Sequence, residues 1–248
     1  PDHVGALIGL GRVATARENW AVAQGYFEAA INRGGQNNPL ALFWLAEAQL
    51  RQPDPQAAIA TYKQVLELDP NFHEAILGRA QAEYALDESN PTAALQKTDE
   101  VLAMNQEYGE AWLFKCKVLH EHGRIENALD ACDKAIAANG RLADAYYQRG
   151  TIYIQQEEYG QAVRDLKRSV ALRPDAEALY WLGRAYFTQN NMPQAVAVFN
   201  RAETMRGGNY PDATFYGALA EQRMGRYESA IADLETLARS AASNEWVE

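Results

Sequence analysis

ADAYYQRGTIYIQQEEYGQAVRDLKRSVALRP, residues 143–174, decides how the chain is built. Tyr146, Arg149, Gly150 and Tyr153 fall at i, i+3, i+4 and i+7, which is one stripe of a helix. Glu157-Glu158-Tyr159-Gly160 then breaks the stripe with turn-tolerant residues. Ala162, Leu166 and Ser169 form a second stripe at i, i+4 and i+7. Pro174 closes the segment, because proline has no amide hydrogen for a continuing helix. The stretch reads as two amphipathic helices joined by a tight turn.

The rest of the chain repeats it. Each unit is numbered from its first helical residue, with an alanine at position 20 as the anchor. Those alanines are Ala23, Ala58, Ala94, Ala128, Ala162, Ala195 and Ala230, at successive spacings of 35, 36, 34, 34, 33 and 35 residues. Position 8 holds Gly11, Ala46, Ala80, Cys116, Gly150, Gly183 and Ala218, all small, so helices crossing there can approach closely. Position 4 carries Leu7, Leu42, Ile76, Trp112, Tyr146, Leu179 and Thr214. Position 24 carries Phe27, Tyr62, Thr98, Cys132, Leu166, Phe199 and Leu234.

This spacing resembles the tetratricopeptide repeat, a helix pair of about 34 residues with small residues where the helices cross. The resemblance covers about Val4 to Leu237 and implies seven repeats in an all-α, right-handed α-solenoid, or superhelix, of antiparallel helix pairs. Their boundaries fall near 4–38, 39–72, 73–108, 109–142, 143–175, 176–210 and 211–242 of a single solenoid domain spanning 1–248. Pro70 and Pro174 end repeats, and Gly35, Gly140 and Gly207 serve as stops elsewhere. Pro53, Pro55, Pro91 and Pro193 lie near turns within repeats, where a missing N–H costs little.

Three departures from regularity carry expectations of their own. Asp87-Glu88-Ser89-Asn90-Pro91 lengthens the third internal turn and predicts a protruding loop. The seventh repeat is degenerate at Thr214 and Glu221. Ser240-Ala241-Ala242-Ser243 reads as a linker, with Ser243 or Asn244 capping a new helix over Glu245-Trp246-Val247, residues 243–248 being its truncated start. The start at Pro1 without Met and this cut-off helix together suggest a piece of a longer protein.

In the family that the chain resembles, positions 2, 5, 6, 9, 12 and 13 of the first helices line a concave binding surface. Carried over, these positions give Phe43 and Trp44; Leu77, Gln81 and Tyr84; Leu113, Phe114, Lys117 and His120; Tyr147, Gln148 and Thr151; Tyr180, Trp181, Arg184 and Phe187; and Phe215 and Tyr216. Such a wall is aromatic, with isolated cations at Arg12, Lys117 and Arg184, and aromatics with Arg dominate binding energy at interfaces. One reading is a groove for an extended or helical peptide. The other is that these aromatics pack between neighbouring first helices and stiffen the stack. Family members that bind chaperone tails use a clamp with Lys at position 5, Asn at 9 and further Asn and Lys in the following repeats. Position 5 here is never Lys, which argues against that role. Glu74, Glu110, Asp144, Glu177 and Asp212 recur at position 2, where carboxylates offset the helix dipole by roughly 0.3–1 kcal/mol each.

Composition narrows the remaining classes. The 248 residues are 48% hydrophobic and 23% charged, enough to build a large core. A net charge of −10 disfavours a nucleic-acid surface, which needs basic stripes. The densest apolar run, Leu40 to Ala46, is far short of the ~18–20 residues of a membrane span. No signal peptide is visible, and compartment stays open between cytoplasmic and exported (periplasmic).

Cys116, His120, His122 and Cys132 are metal-ligand types, but the two cysteines occupy core positions, and buried thiols behave as small hydrophobes. Because positions 8 and 24 meet across a pair, a Cys116–Cys132 disulfide stays open as well. No phosphate loop and no catalytic constellation is readable, so no enzyme, cofactor or metal is expected. The sequence points to a scaffold for protein or peptide partners within a larger assembly. The alternatives are the non-catalytic repeat region of a larger enzyme or export protein, and a self-associating array, a homo-oligomer.

Overall fold

Fourteen α-helices follow one another among the described residues, with no strand between them. The computed structural model describes residues 3–52 and 54–244, with side chains as far as residue 239; Pro53 and the expected helix over Glu245-Trp246-Val247 lie outside the described residues. The chain divides into two compact units after Arg124. The first holds α1 (Val4–Ala16), α2 (Trp20–Ala30), α3 (Pro39–Leu50), α4 (Pro55–Leu68), α5 (His73–Leu86), α6 (Pro91–Met104) and α7 (Gly109–Glu121). The second holds α8 (Ile125–Ala138), α9 (Ala143–Gln155), α10 (Tyr159–Leu172), α11 (Ala176–Thr188), α12 (Met192–Met205), α13 (Pro211–Arg223) and α14 (Tyr227–Asn244).

Helix starts are written in the sequence. Asn38, Asp54 and Asp175 accept the first free amides of α3, α4 and α11 through their side chains. Pro39, Pro55, Pro91 and Pro211 open their helices, where no hydrogen bond is lost. Most internal turns have three residues and put position 15 in the left-handed region: Glu18, Glu157 and Asn190 at φ 57°, 62° and 61°, and Gly123 and Gly225 at 69° and 76°. Glycine does this freely; a side chain costs about 1 kcal/mol.

Two sequence expectations change. The turn over 87–90 is not a protruding loop: it has four residues, as many as separate α3 from α4, and the other extra residue lengthens α5. Asp87 Oδ1 accepts from the Ser89 amide and hydroxyl and closes the turn on itself. Residues 240–243 are not a linker either, because α14 runs through them to Asn244. Ala241 and Ala242 are the strongest helix formers, and neither Gly nor Pro interrupts them.

Within each unit every helix packs on the next, and first helices also touch one another, α1 with α3, α3 with α5, α9 with α11 and α11 with α13. The contact that sets their distance is between positions 8 and 24. A Cβ added at Gly11 would lie 2.4 Å from the Phe27 ring, at Gly183 2.5 Å from the Phe199 ring, and at Gly150 2.8 Å from Leu166 Cγ. The large side chain occupies the space a methyl would need. Tyr62 uses a different glycine: its ring lies 2.4 Å from where a Cβ on Gly78 of α5 would be. Its hydroxyl donates to Glu47 Oε1 on α3 at 2.5 Å. The seven anchoring alanines are at most 4% exposed, so none could grow without displacing a helix.

Ion pairs clip neighbouring helices together within each unit. Arg149 of α9 donates from Nε and Nη2 to Asp165 of α10 at 2.7 and 2.8 Å, and from Nη1 to Asp133 of α8 at 2.6 Å. Lys115 of α7 pairs with Asp99 of α6 in the same sense. Cys116 and Cys132 are fully buried, and neither is a free thiol.

Gly183→Ala adds about 1 kcal/mol of helix propensity but forces a repacking of about 1–3 kcal/mol around Phe199, so a net loss of stability is expected. Gly25→Ala, with nothing within 4 Å of the new Cβ, is expected to stabilise. Urea midpoints of the two variants, moving in opposite directions from the wild type, check this. A second expectation concerns Glu47, whose carboxyl burial pushes above the usual range, against the opposing Tyr62 hydrogen bond and Arg51 charge. A carboxyl raised on folding penalises the native state as pH climbs from its unfolded value through the folded one. Glu47→Gln is therefore expected to stabilise at pH 7 and to be near neutral at pH 4, read by denaturation at both pH values.

Candidate functional site

The aromatic positions fall into three environments. Tyr84, Phe114 and Tyr180 are buried. Phe43, Trp44, Tyr147, Trp181, Arg184, Phe187 and Tyr216 are half-buried, whereas Lys117 and Phe215 are exposed. The residue types are those of a recognition surface, but their accessibility is uneven.

In the first unit, Phe43 stacks on Phe72 at 5.1 Å and meets Trp44 edge-on at 5.4 Å. Trp44 stacks on Phe27 at 6.4 Å, and the Arg12 guanidinium lies 5.3 Å above its ring. Gly9, Arg12, Val13, Thr15, Ala16 and Trp44 line a pocket of about 530 Å³ at this point. Trp44 Nε1 is buried without an acceptor among the described residues. Further along, Tyr84 is committed to structure: its hydroxyl donates to Glu121 Oε2 at 2.7 Å and its ring packs on Phe114 at 5.9 Å. Burial and the Glu121 carboxylate push the Tyr84 phenol up. Lys117 pairs with the same Glu121 at 3.7 Å. The His122 ring nitrogen lies 2.9 Å from the Val118 carbonyl oxygen, and no group of three or more His, Cys, Asp or Glu among the described residues is placed to hold a metal ion.

The second unit gathers its aromatics more tightly. Tyr180 touches Trp181, Phe199, Tyr210 and Tyr216 with ring centroids 5.4–6.1 Å apart, a range in which edge and offset contacts add to area burial. Arg184, one helical turn on, donates from Nη1 to the Tyr180 hydroxyl at 2.9 Å and lies 4.2 Å over the Tyr216 ring and 5.8 Å from the Trp181 ring. A guanidinium held against aromatic faces is attracted by their negative quadrupole. Phe187 meets Tyr216 edge-on at 5.8 Å, and Arg223 lies 4.1 Å over Phe187. Phe215 extends the cluster into solvent, 5.5 Å from Tyr216. Burial first, then the Glu177 charge, pushes the Tyr147 phenol up to about 12.

Three contributors escaped the sequence reading. Glu177 was read as dipole compensation; its carboxylate also accepts from Trp181 Nε1 at 3.0 Å and from the Tyr210 hydroxyl at 2.6 Å. It thereby fixes the orientation of two rings. Tyr210 precedes α13 as Phe72, Tyr108 and Leu142 precede α5, α7 and α9, a recurrence outside the helices that could have flagged it. Arg223 stands at position 13, where the family pattern could have flagged it. The cluster holds two guanidiniums, Arg184 over Tyr216 and Arg223 over Phe187, against aromatic faces.

The profile described as tetratricopeptide repeat matches residues 8–71, 79–143 and 147–213. Tetratricopeptide repeat protein 13 of Homo sapiens is 28% identical over 149 residues, covering 58% of this chain and 17% of that protein. Superkiller complex protein 3 of Mus musculus is 24% identical over 248 residues, covering 96% of this chain and 16% of that protein. The chain spans about a sixth of the length of these two relatives. Among solved structures, a chain of the APC/C hetero-tetramer Cut9–Hcn1 superposes with a TM-score of 0.77 at 16% identity, covering 89% of this chain and 43% of that one, which is a likeness of fold. Among the described residues no helix is long and apolar enough to cross a membrane.

Glu177→Ala leaves the Tyr210 and Trp181 donors without their acceptor and is expected to cost about 1–3 kcal/mol. The denaturation midpoint reads the loss, and near-ultraviolet circular dichroism reads the freed rings.

Proposed function

The chain belongs to the tetratricopeptide repeat family, whose members mediate protein–protein interactions, and on that premise we propose that it is a scaffold holding a peptide or a partner's helix against its first helices. Proteins built of such repeats are generally non-catalytic scaffolds. The observation that carries the proposal is the Arg184 cluster. A partly exposed guanidinium there is braced by Tyr180, Trp181 and Tyr216, with Phe215 still 43% exposed beside it.

Rigid aromatic rings present large apolar area at low entropic cost, and an adjacent Arg adds directional donors. The partner this arrangement suits carries an apolar anchor with an acceptor or carboxylate close to it. Tyr180 and the other buried rings supply the rigidity. Trp181, Phe187 and Phe215 supply the contact.

The test is crosslinking and pull-down from the native source, comparing the wild type with a Trp181→Ala/Phe215→Ala double variant. Both side chains reach solvent, so far-ultraviolet circular dichroism is expected to stay unchanged while recovery of the crosslinked partner falls about tenfold or more. Equal recovery from both proteins would assign the aromatics to packing alone.

A further inference from the structure

One arrangement recurs in both units. Arg12 stands at position 9 of α1, and its guanidinium lies 5.3 Å over the ring of Trp44, position 6 of the following first helix, α3. Arg184 stands at position 9 of α11, and its guanidinium lies 4.2 Å over the ring of Tyr216, position 6 of the following α13. The other first helices hold Glu47, Gln81, Lys117, Thr151 and Leu219 at position 9. Of these only Lys117 is a cation, and it pairs with Glu121 at 3.7 Å.

Arg12 and Arg184 are braced by rings and not by acids. The chain carries a net charge of −10, and Arg79, Arg149, Arg173 and Arg206 each pair with a carboxylate. Neither Arg12 nor Arg184 does so among the described residues. A ring takes the face of a guanidinium and leaves the N–H groups along its edge free to donate. At Arg184 one of them reaches the Tyr180 hydroxyl at 2.9 Å, and the others have no acceptor among the described residues. Two parallel N–H groups match the two oxygens of a carboxylate. Apolar surface adjoins both guanidiniums: Phe43 lies 5.4 Å from Trp44, and Phe215, 43% exposed, lies 5.5 Å from Tyr216.

We propose that each unit holds a subsite for an acidic side chain of a protein partner, Arg12 with Trp44 in the first and Arg184 with Tyr216 in the second. Each takes an Asp or Glu of the partner that has an apolar residue beside it. The inference rests on the partner-binding reading and adds to it the sign of the partner's charge and a second place of contact. Arg223, 4.1 Å over Phe187, adds positive charge at the second subsite. The net charge of the whole chain repels an acidic partner at long range, so recognition depends on the short-range fork. Salt at about 0.15 M screens that repulsion beyond ~8 Å and leaves the close pair in place.

Fluorescence anisotropy on the 248-residue chain tests it with three fluorescein-labelled hexapeptides. They are alike except that a central Phe-Leu pair is flanked by Glu, by Gln or by Lys. At about 0.15 M salt the Glu peptide is expected to bind about tenfold more tightly than the Gln peptide, and the Lys peptide most weakly. Two Glu peptides are expected per chain. Arg12→Gln and Arg184→Gln are each expected to leave one site, and the double variant none, with helicity unchanged by circular dichroism. Arg184→Lys keeps the charge without the fork, and is expected to preserve the order of the three peptides at reduced affinity. Equal binding of the Glu and Gln peptides overturns the inference and leaves the aromatic groove standing. So does a Glu preference that survives the double variant. Binding by none of the three overturns it too, and the pull-down with Trp181→Ala/Phe215→Ala then judges the groove by itself.

Discussion

Everything in the described helices depends on how closely a first helix approaches the second helix it crosses. Where position 8 is glycine, the approach is set by one exchange of volume: the glycine gives up its space to the side chain at position 24. Gly11 with Phe27, Gly150 with Leu166 and Gly183 with Phe199 are the clearest cases, each leaving no room for a methyl group. Glycine weakens a helix interior by roughly 0.5–1 kcal/mol, a cost offset by burying a whole Phe or Leu. The period of the array is the period of this contact.

The candidate site inherits its rigidity from the same exchange. Phe199, seated against Gly183, presents its other face to Tyr216 and meets Tyr180 at 6.1 Å. Arg184 follows Gly183 directly, so the glycine that admits Phe199 also fixes where the guanidinium stands. Glu177, a helical turn before Trp181, holds that ring from the opposite direction. Core packing and the proposed recognition surface share residues, which is why the aromatics at these positions divide between burial and exposure.

Much of the fold was legible in the residues. The alanine spacing, the small residues at position 8 and the prolines at helix starts gave helix number, order and approximate bounds. The site was legible only as a set of candidate positions. Periodicity assigns a residue to a face of its own helix, but accessibility depends on what the neighbouring helix brings. Tyr84 and Phe215 share an aromatic character and a nominal face; Glu121 and Phe114 close over Tyr84, while Phe215 keeps its exposure. Asp87-Glu88-Ser89-Asn90 suggested an excursion because turn residues were counted without their hydrogen bonds, which fold the segment tightly. Ser240-Ala241-Ala242-Ser243 suggested a linker because it is small and polar, although alanine carries a helix onward.

By itself the sequence determined the repeating unit, its helical character and the residue types offered to a partner, because these follow from local spacing and from side-chain size. Only the tertiary structure decided which aromatics are buried, that Glu177 orients Trp181 and Tyr210, and that Arg223 covers Phe187. Those outcomes depend on contacts between helices far apart in the chain, and spacing along one helix carries no information about what lies across from it.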